Sequence, residues 1–346
     1  MRALVAHQPH DLRLEDREAA AAPGPGEVRV RIARGGICGS DLHYYHHGGF
    51  GTVRLKEPMI LGHEVAGTVI EVGADVTGVK AGDRAALNPS MPCEHCRYCL
   101  QGMRNQCLDM RFFGSAMRFP HMQGLFREEV TLPGSQVFVV PNDLDIGLAA
   151  CAEPFAVCLH AVQQAGSLVG KRVFVSGCGP IGCLTIAAAR HAGAHEIVCS
   201  DISAAPLRIA RALGADIAID LGETPDELKR FAEGKGTFDT VFECSGNARA
   251  LAAAFDVVRP RGTIVAVGLG GDVSIPLNAA VAKEVVLRGS FRFDEEFGWA
   301  VDLIASKAVD VSPLVTATLP LDRADEAFRL ASDRTRSMKV QLAFET

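Results

Sequence analysis

Four cysteines lie within one short segment of the chain, at Cys93, Cys96, Cys99 and Cys107. Four thiolates at this spacing can complete the tetrahedral shell of a structural zinc ion without a water ligand. Unpaired packing cysteines or a disulfide pair are the alternatives, whereas a redox dithiol needs only two cysteines. The spacing predicts a zinc-stapled lobe over residues 93–107 that is separate from any catalytic centre.

A second set of metal-ligating side chains is dispersed along the chain. It comprises Cys38, the adjacent His63 and Glu64, and Glu153, which stands directly before a proline. A thiolate, an imidazole and a carboxylate with an open fourth position make a plausible catalytic zinc shell. Each of these residue types is also common in cores, on surfaces or at helix starts. Spacing alone therefore does not decide between a zinc site and ordinary structural positions.

A glycine-rich turn lies between a predicted strand over 172–176 and an Ala-rich helical run. Gly177 is suited to a tight turn, Gly179 to close approach of a pyrophosphate, and Gly182 to close packing of the helix on the strand. The next strand candidate ends at Asp201, where a carboxylate can accept hydrogen bonds from the adenosine ribose. The pattern predicts a dinucleotide site rather than a structural turn, with these contacts: Gly177, Gly179, Pro180, Ile181, Gly182 and Asp201.

Further cofactor contacts are predicted at the ends of later strands, where dinucleotides bind such sheets. Ordinary strand-end turns are the alternative for these positions, which are Ser245, Val267, Gly268 and Leu269. Arg208 is expected either to lie on the adenine or to pair with Asp201. Because Asp201 repels a 2′-phosphate, NAD(H) is favoured, and NADP(H) remains possible if a nearby cation such as Arg208 offsets that repulsion.

Length and composition limit the class of protein. A chain of 346 residues with 48% hydrophobic content predicts two globular domains with sizeable cores. The net charge of −6 gives no indication of binding to nucleic acid or to an anionic membrane surface. We find neither a signal peptide nor an apolar run near the ~20 residues of a membrane span. The eleven cysteines are therefore expected to be reduced in the cytoplasm.

The order of predicted elements indicates how these residues are positioned. Short β-like runs punctuated by Gly and Pro over residues 1–90 predict an irregular β-barrel. From about Gly147 apolar strands alternate with helical stretches, which predicts a doubly wound α/β fold with six parallel strands. The expected strands are 172–176, 197–200, 217–219, 239–243, 262–267 and 286–291. The expected domains are a catalytic domain over 1–147, a dinucleotide-binding domain over 148–291, and a return to the catalytic domain over 292–346.

The motif Gly62-His63-Glu64-x2-Gly67-x5-Gly73-x2-Val76 resembles the signature of zinc-containing medium-chain alcohol dehydrogenases. The four-cysteine lobe and the later glycine fingerprint follow in that family's order, so the resemblance covers essentially the whole chain. It implies a GroES-like catalytic domain, a six-stranded Rossmann domain, and two zinc ions per chain. It also implies that Cys38 and His63 bind the catalytic zinc. The polyol-dehydrogenase branch uses a glutamate of a Glu-Pro pair as the third ligand, which matches Glu153.

The same resemblance implies roles for other residues near the catalytic zinc. Glu64 is expected to lie close to the metal and to exchange onto it. Ser40 and His43 are expected to relay the alcohol proton, with a turn cap and a surface residue as the alternatives. Lys339 occupies a place where relatives carry a basic residue near the pyrophosphate, although a surface lysine is an equal alternative.

Three segments, 34–45, 109–117 and 287–293, resemble members of this branch that act on a six-carbon sugar acid. The implied activity is reversible hydride transfer between a secondary alcohol and nicotinamide. Sorbitol or xylitol is the alternative substrate, threonine a more remote one, and the retained ligands argue against a catalytically silent sensor. A homo-oligomer, either dimer or tetramer, is expected. The predicted substrate contacts are Tyr44, Arg111, Phe113, Ser115, Arg118 and Arg292.

Overall fold

The N-terminal part of the chain folds into small antiparallel sheets. In the computed structural model, which describes residues 1–344, β3 is central to the largest of them, between β7 and the C-terminal strand of the chain. Inward positions of β3, including Val28, Val30 and Ile32, are fully buried and alternate with more exposed ones, as expected for a strand with one core face. The strands of this part are β1 (Arg2–Gln8), β2 (Asp11–Asp16), β3 (Glu27–Gly36), β4 (Gly49–Phe50), β5 (Val53–Arg54), β6 (Met59–Ile60), β7 (Glu64–Val72), β8 (Arg84–Leu87), β9 (Ser90–Met91), β10 (Arg111–Phe112), β11 (Glu129–Pro133) and β12 (Val137–Val140).

The second half of the chain contains a parallel sheet of six strands in the order β15-β14-β13-β16-β17-β18. The strand order reverses at β13, which is the topological switch point of a doubly wound fold. Val173, Phe174 and Val175 of β13 are fully buried because helices cover both faces of the sheet. The strands are β13 (Arg172–Ser176), β14 (Glu196–Asp201), β15 (Ile217–Asp220), β16 (Phe238–Glu243), β17 (Val258–Ala266) and β18 (Val286–Gly289). The predicted fold class is confirmed.

Nine α-helices lie within the described residues, and two of them matter most for the site. Helix α1 follows β3 directly and begins beside Cys38, whereas α3 begins beside Glu153 and packs against α4 and α8. The helices are α1 (Gly39–His47), α2 (Ile146–Ala150), α3 (Ala152–Ala165), α4 (Pro180–His191), α5 (Ala204–Ala212), α6 (Ala248–Val257), α7 (Leu277–Lys283), α8 (Glu296–Ala305) and α9 (Ala324–Ser332). Short 3₁₀ turns include Cys99–Gln101, Arg104–Gln106, Gly134–Gln136, Glu227–Lys235, Ser312–Leu314 and Leu321–Arg323.

The C-terminal segment returns to the first sheet. Strand β19 (Val315–Pro320) pairs in parallel with β20 (Lys339–Ala343), and β20 pairs antiparallel with β3, with Gln341 opposite Gly36. This pairing brings the end of the chain beside the start of α1. The domain boundaries stay a prediction, and residues 345 and 346 of the predicted third segment lie outside the described residues.

One apolar cluster connects the two halves of the molecule. It contains Ala33, Ala66 and Phe112 of the N-terminal sheets together with Phe155 of α3 and Phe297 of α8. Each fully buried Phe contributes about 1.5–3 kcal/mol relative to an exposed one. The cluster therefore fixes α3 against the β3–β7 region, where the dispersed ligands lie. Among the described residues, no helix combines the length and apolar character needed to cross a membrane.

Candidate active site

Three of the dispersed ligands come together in space. The ligand atoms of Cys38, His63 and Glu64 lie within 4.8 Å of one another. Cys38 caps α1, and Glu64 opens β7, which pairs with β3. His63 and Glu64 are buried, with exposed fractions of 5% and 1%. The cluster therefore lies at the inner end of the β3–β7 pair.

The local structure of α1 prepares Cys38 as a ligand. Its side chain accepts the backbone N–H of Asp41, while Asp41 Oδ2 accepts the Cys38 N–H at 2.9 Å. The N-terminus of a helix favours a negatively charged group, but burial outweighs this effect and raises the Cys38 pKa to about 12, so a thiolate here needs a nearby cation. Asp41 Oδ1 also accepts the Gly62 N–H at 3.1 Å and so ties α1 to the loop before His63. The sequence analysis missed Asp41, although a polar residue at the third helical position is a capping-box signal.

His63 has a buried nitrogen without a partner. Its Nδ1 is inaccessible to solvent and makes no hydrogen bond, and it lies 3.8 Å from Asp41 Oδ1. Buried polar atoms are rarely left unpaired in proteins. A metal ion on one ring nitrogen, with the other drawn toward Asp41, is a common arrangement for a ligating histidine. The unpaired Nδ1 beside Asp41 fits this arrangement, in which a metal ion would bind the other ring nitrogen.

Glu64 is held by a lysine from the far end of the chain. Lys339 Nζ lies 2.7 Å from both carboxylate oxygens of Glu64 and donates to the Ile37 carbonyl at 3.2 Å. Burial opposes the charge on Lys339, but the Glu64 carboxylate outweighs it and raises the lysine pKa above its ordinary value. All three N–H donors of Lys339 are used, and the side chain is 3% exposed. The surface-lysine alternative is therefore not seen, and the contact of Lys339 with the pyrophosphate stays a prediction.

Glu153 is buried near the cluster but does not belong to its closest group. It lies in the first turn of α3, is 5% exposed, and accepts no hydrogen bond from the described residues. Burial raises its pKa to about 8, although the charge of His63 acts in the opposite direction. A buried carboxylate without a hydrogen-bond partner is costly unless a cation approaches it. Glu153 is thus available to a metal in a way that the lysine-bound Glu64 is not.

The acidic side chains around the cluster must either stay protonated or be neutralised by cations. Asp41, Glu64 and Glu153 are buried beside Cys38, whose pKa burial raises to about 12, and Lys339 is the one buried lysine among the described residues. Buried charges require compensation by pairing or by a metal. A divalent cation held by a thiolate, an imidazole and a carboxylate would supply this charge compensation. The same donor set suits zinc.

The predicted structural zinc ligands also converge. The sulfur atoms of Cys93, Cys96, Cys99 and Cys107 lie within 4.8 Å of one another. Backbone N–H groups point at these sulfurs, from Cys96 to Cys93 at 3.3 Å and from Cys93 to Cys107 at 3.1 Å. Backbone donors lower the pKa of Cys96 to about 6, whereas burial raises that of Cys99 to about 12. Zinc binding displaces thiol protons, so the lobe fits one closed tetrahedral site.

Ser40 and His43 occupy the first two turns of α1. The Ser40 hydroxyl lies near the Cys38 sulfur, whereas His43 is exposed on the outer side of the helix and makes no direct hydrogen bond to Ser40. Burial, together with nearby His47, lowers the pKa of His43. A neutral His43 can accept a proton, but a proton from Ser40 must reach it through an intervening group.

Tyr44, Phe113 and Ser115 lie in or against the loop over residues 113–117. Tyr44 is 1% exposed, and its hydroxyl accepts the Ala116 N–H at 2.9 Å. Phe113 belongs to the same apolar cluster, and Ser115 Oγ accepts the Met117 N–H at 3.3 Å. These contacts order the 113–117 loop, and direct substrate contact by the three residues stays a prediction.

The three predicted carboxylate-binding arginines have different positions. Arg118 pairs with Asp109 at 2.8 Å on the surface. Arg111 is exposed and precedes Phe112 in β10, so it points to the opposite face from Phe112, whose ring lies 5.6 Å from His63. The structure therefore does not bring Arg111 or Arg118 to the metal cluster.

Arg292 lies at the cluster. Its guanidinium carbon is 4.1 Å from the centre of the Phe112 ring, and Nη2 is 3.0 Å from Met117 Sδ. Burial lowers its pKa to about 10, and the Glu153 carboxylate acts in the opposite direction. It forms no ion pair with a carboxylate of the described residues. The sequence analysis missed the Phe112 platform, because stacking on a residue 180 positions away leaves no local signal.

The glycine fingerprint has the predicted geometry. Gly177 has φ = +85°, and a Cβ at Gly182 would lie 1.8 Å from the Gly177 carbonyl oxygen. A Cβ at Gly179 would meet nothing within 4 Å, and α4 begins there with Pro180, followed by Ile181. The turn is therefore closed on its inner side and open where a phosphate would approach the helix N-terminus.

Asp201 holds the turn from the end of β14. Its Oδ2 accepts the Cys178 N–H at 2.8 Å and its Oδ1 accepts the Ser203 N–H at 3.1 Å, which leaves acceptor capacity on each oxygen. Arg208 is exposed and makes no ion pair with Asp201, so that alternative for Arg208 is not seen.

The remaining predicted cofactor residues lie at the same edge of the sheet. Ser245 follows β16 and contacts Glu243, and its Cβ lies 2.8 Å from the position of a Cβ on Gly177. The N–H groups of Val267 and Gly268 both donate to the Glu243 carbonyl, and Leu269 is exposed. The strand ends are thus brought together around the glycine turn, although contact with a cofactor stays a prediction.

Comparison with known proteins identifies the family. The model of the alcohol dehydrogenase GroES-like domain matches residues 24–142, and the model of the zinc-binding dehydrogenase domain matches residues 180–306. The chain belongs to the zinc-binding medium-chain alcohol dehydrogenases. It is thus an oxidoreductase acting on CH–OH groups with zinc and a nicotinamide dinucleotide.

Several relatives are similar over nearly their whole length. L-idonate 5-dehydrogenase (NAD(P)(+)) of Escherichia coli K12 is 46% identical over 316 residues, covering 91% of each chain. Sorbitol dehydrogenase of Gallus gallus is 40% identical, covering 98% of this chain and 95% of the relative. The crystal structure of L-idonate 5-dehydrogenase from Escherichia coli K-12 superposes with a TM-score of 0.94 at 43% identity, covering 99% of this chain and 98% of that one.

Proposed function

We propose that this enzyme interconverts L-idonate and 5-ketogluconate by reversible hydride transfer at C5. The observation that carries the proposal is Arg292, a guanidinium beside the metal cluster without a carboxylate partner among the described residues. A sugar acid carries a carboxylate that a neutral polyol lacks, and an uncompensated charge in a closed site is costly. The 46% identity to an enzyme named for L-idonate supports the same substrate.

Cys38, His63 and Glu153 are proposed to hold the catalytic zinc, and the four lobe cysteines a second ion. When bound, zinc supplies Lewis-acid stabilisation of the substrate oxygen, and the nicotinamide supplies the hydride acceptor or donor. Glu64 lies close enough to exchange onto the metal, but its pairing with Lys339 favours Glu153 as the resident ligand.

Ser40 and His43 are proposed to carry the proton of the reacting hydroxyl. Ser40 accepts it next to Cys38 and passes it through an ordered water to His43. The lowered pKa of His43 supports this role, because it keeps the imidazole neutral near pH 7. Since His43 is exposed, the proton can then leave to solvent.

Arg292 is proposed to bind the substrate carboxylate while the C5 oxygen occupies the metal site. Guanidinium and carboxylate groups match in a bidentate geometry. The cation–π contact with Phe112 holds the planar group in place without neutralising its charge. Tyr44, Phe113 and Ser115 would order the loop that closes this pocket.

NAD(H) is proposed as the favoured cofactor, with NADP(H) possible. Asp201 supports the preference, since its carboxylate has free acceptor capacity for ribose hydroxyls and repels a 2′-phosphate. Arg208, the cation that could offset the repulsion of a 2′-phosphate, lines a cavity of about 380 Å³ beside α5. The cavity lining also includes Arg334 and Arg336, and none of its lining residues is acidic.

A homo-oligomer in the cytoplasm is proposed as the working form. The eleven free thiols suit a reducing compartment. Strand β18 ends the parallel sheet, so its outer edge is unpaired within the described residues. Exposed Leu277, Val281 and Leu287 lie near it, and such an edge favours pairing with a second copy. Sedimentation analysis would give a dimer or tetramer, and a monomer would contradict this assignment.

Sorbitol or xylitol dehydrogenation is the alternative, favoured by the 40% identity to a sorbitol dehydrogenase. Oxidation of NADH and NADPH should be followed with 5-ketogluconate, fructose and xylulose in parallel. The proposal expects 5-ketogluconate to be reduced most efficiently and NADH to be preferred. Equal or better reduction of fructose or xylulose would favour the alternative.

A further inference from the structure

The loop that carries Arg292 is bonded to the four-cysteine lobe. Arg104 Nε lies 2.7 Å from Asp294 Oδ1, and the Arg104 backbone N–H donates to Asp294 Oδ2 at 3.2 Å. Asn105 Nδ2 donates to the Phe291 carbonyl at 2.9 Å. The lobe is therefore hydrogen-bonded to the chain on both sides of Arg292.

The backbone of Arg292 needs such support. Its φ is +54°, in the left-handed region that residues other than glycine seldom adopt. A conformation of this kind persists when the surrounding structure determines it. The guanidinium itself contacts the Phe112 and Phe291 rings and Met117 Sδ, and none of these contacts fixes the backbone of the loop.

A cleft lies between the lobe and the loop. It has a volume of about 900 Å³ and is lined by Met103 and Gln106 on one side and by Ser290 and Glu295 on the other. The hydrogen bonds of Arg104 to Asp294 and of Asn105 to the Phe291 carbonyl connect the two segments directly across this cleft.

We propose that Arg104 and Asn105 are positioning residues for Arg292, so that the zinc-stapled lobe sets the preference for an acidic substrate. The inference rests on the proposed function, in which Arg292 binds the substrate carboxylate. It assigns to the lobe a task beyond local stability. Residues that never touch the substrate would then determine which substrate the enzyme prefers.

The test compares Arg104→Gln with Arg97→Gln, a matched control in the same lobe. Arg97 stacks on Tyr98 at 4.9 Å and does not contact the Arg292 loop. Arg104→Gln is expected to raise KM for L-idonate and so to lower kcat/KM about tenfold. This change corresponds to about 1.4 kcal/mol. Sorbitol turnover and zinc content should stay within twofold of wild type. Arg104→Lys keeps a cation near Asp294 and should recover most of the loss.

Hydrogen exchange supplies a measurement independent of activity. Amides of residues 289–294 should exchange faster in Arg104→Gln than in wild type or Arg97→Gln. The double variant Arg104→Gln/Arg292→Gln should be no less selective than Arg292→Gln alone, because the two residues act through one contact.

Three outcomes would overturn the inference: unchanged exchange in Arg104→Gln, equal losses for L-idonate and sorbitol, or additive effects in the double variant. Failure of the proposed function gives a different result. In that case Arg292→Gln alone leaves the ratio of L-idonate to sorbitol turnover unchanged, while the exchange measurement still reports whether the lobe holds the loop.

Discussion

At the scale of a single residue, Asp201 both closes the glycine turn and carries negative charge beside the expected ribose position. Its carboxylate closes the glycine turn through the Cys178 and Ser203 N–H groups and presents negative charge toward the ribose position. Removing the side chain would disturb both tasks at once. The isosteric amide of Asp201→Asn removes the charge and keeps one acceptor oxygen, so it loses one of the two turn hydrogen bonds, whereas Asp201→Ala loses both.

We therefore predict that Asp201→Asn narrows the preference for NADH over NADPH by about tenfold or more, because the repulsion of a 2′-phosphate is lost. NADH binding should weaken less than in Asp201→Ala. Dissociation constants of both cofactors, measured by fluorescence titration, provide the comparison. A wild-type enzyme that prefers NADPH tenfold would show that the role given to Asp201 is wrong.

Glu64 and Lys339 form a buried ion pair, with side chains 2% and 3% exposed. Removing one partner of such a pair leaves an uncompensated charge, which typically costs about 3–5 kcal/mol. We predict this loss of unfolding free energy for Lys339→Met in urea denaturation. Lys339→Met/Glu64→Gln should recover a large part of it. If Lys339→Met were as stable as wild type, the pair would not be a structural element of the site.

At the scale of elements, substitutions at the start of α4 can distinguish cofactor binding from stability of the fold. A methyl group at Gly179 meets no atom within 4 Å, whereas one at Gly182 would lie 1.8 Å from the Gly177 carbonyl oxygen. Gly179→Ala should therefore keep the melting temperature near that of wild type and weaken NADH binding about tenfold or more, by blocking the phosphate approach.

Gly182→Ala is the matched control, since it should destabilise the fold by forcing helix and strand apart. Calorimetry and NADH titration of both variants check the pair. Normal NADH affinity in a folded Gly179→Ala enzyme would contradict a pyrophosphate site at this turn.

Local patterns were sufficient to predict the glycine turn and the cysteine lobe, because each depends on spacing within about thirty residues, whereas the fold class was predicted from the order of elements and the family resemblance over the whole chain. The pairing of Glu64 with Lys339 could not be predicted, since it joins residues 275 positions apart and depends on the β20–β3 register. The choice among arginines failed for a similar reason. Arg118 is occupied by Asp109, Arg111 faces away, and only the folded chain places Arg292 on Phe112.

At the scale of the whole molecule, two separate clusters of metal-ligating side chains lie in two parts of the structure. The lobe sulfurs form a closed shell, whereas the Cys38–His63 site lies at the end of the β3–β7 pair. We predict two zinc ions per chain by elemental analysis. Cys96→Ser should reduce this to one and lower thermal stability, while Glu153→Gln should lose the other ion and nearly all activity.

One zinc ion per wild-type chain would contradict the two-site assignment. Retention of two ions in Cys96→Ser would show that the lobe does not bind metal through that thiolate. Because each variant should remove a different ion, the two measurements check each other.

The ratio of kcat/KM for L-idonate to that for sorbitol, measured in wild type and in Arg292→Gln, tests the central claim most directly. A charged hydrogen-bonded contact contributes about 1.5–3 kcal/mol, so the wild-type ratio should exceed about tenfold. Arg292→Gln should bring the ratio near one with zinc content and NADH affinity unchanged. Comparable kcat/KM for both substrates in the wild type would contradict an acid-selective site and leave a neutral polyol as the substrate.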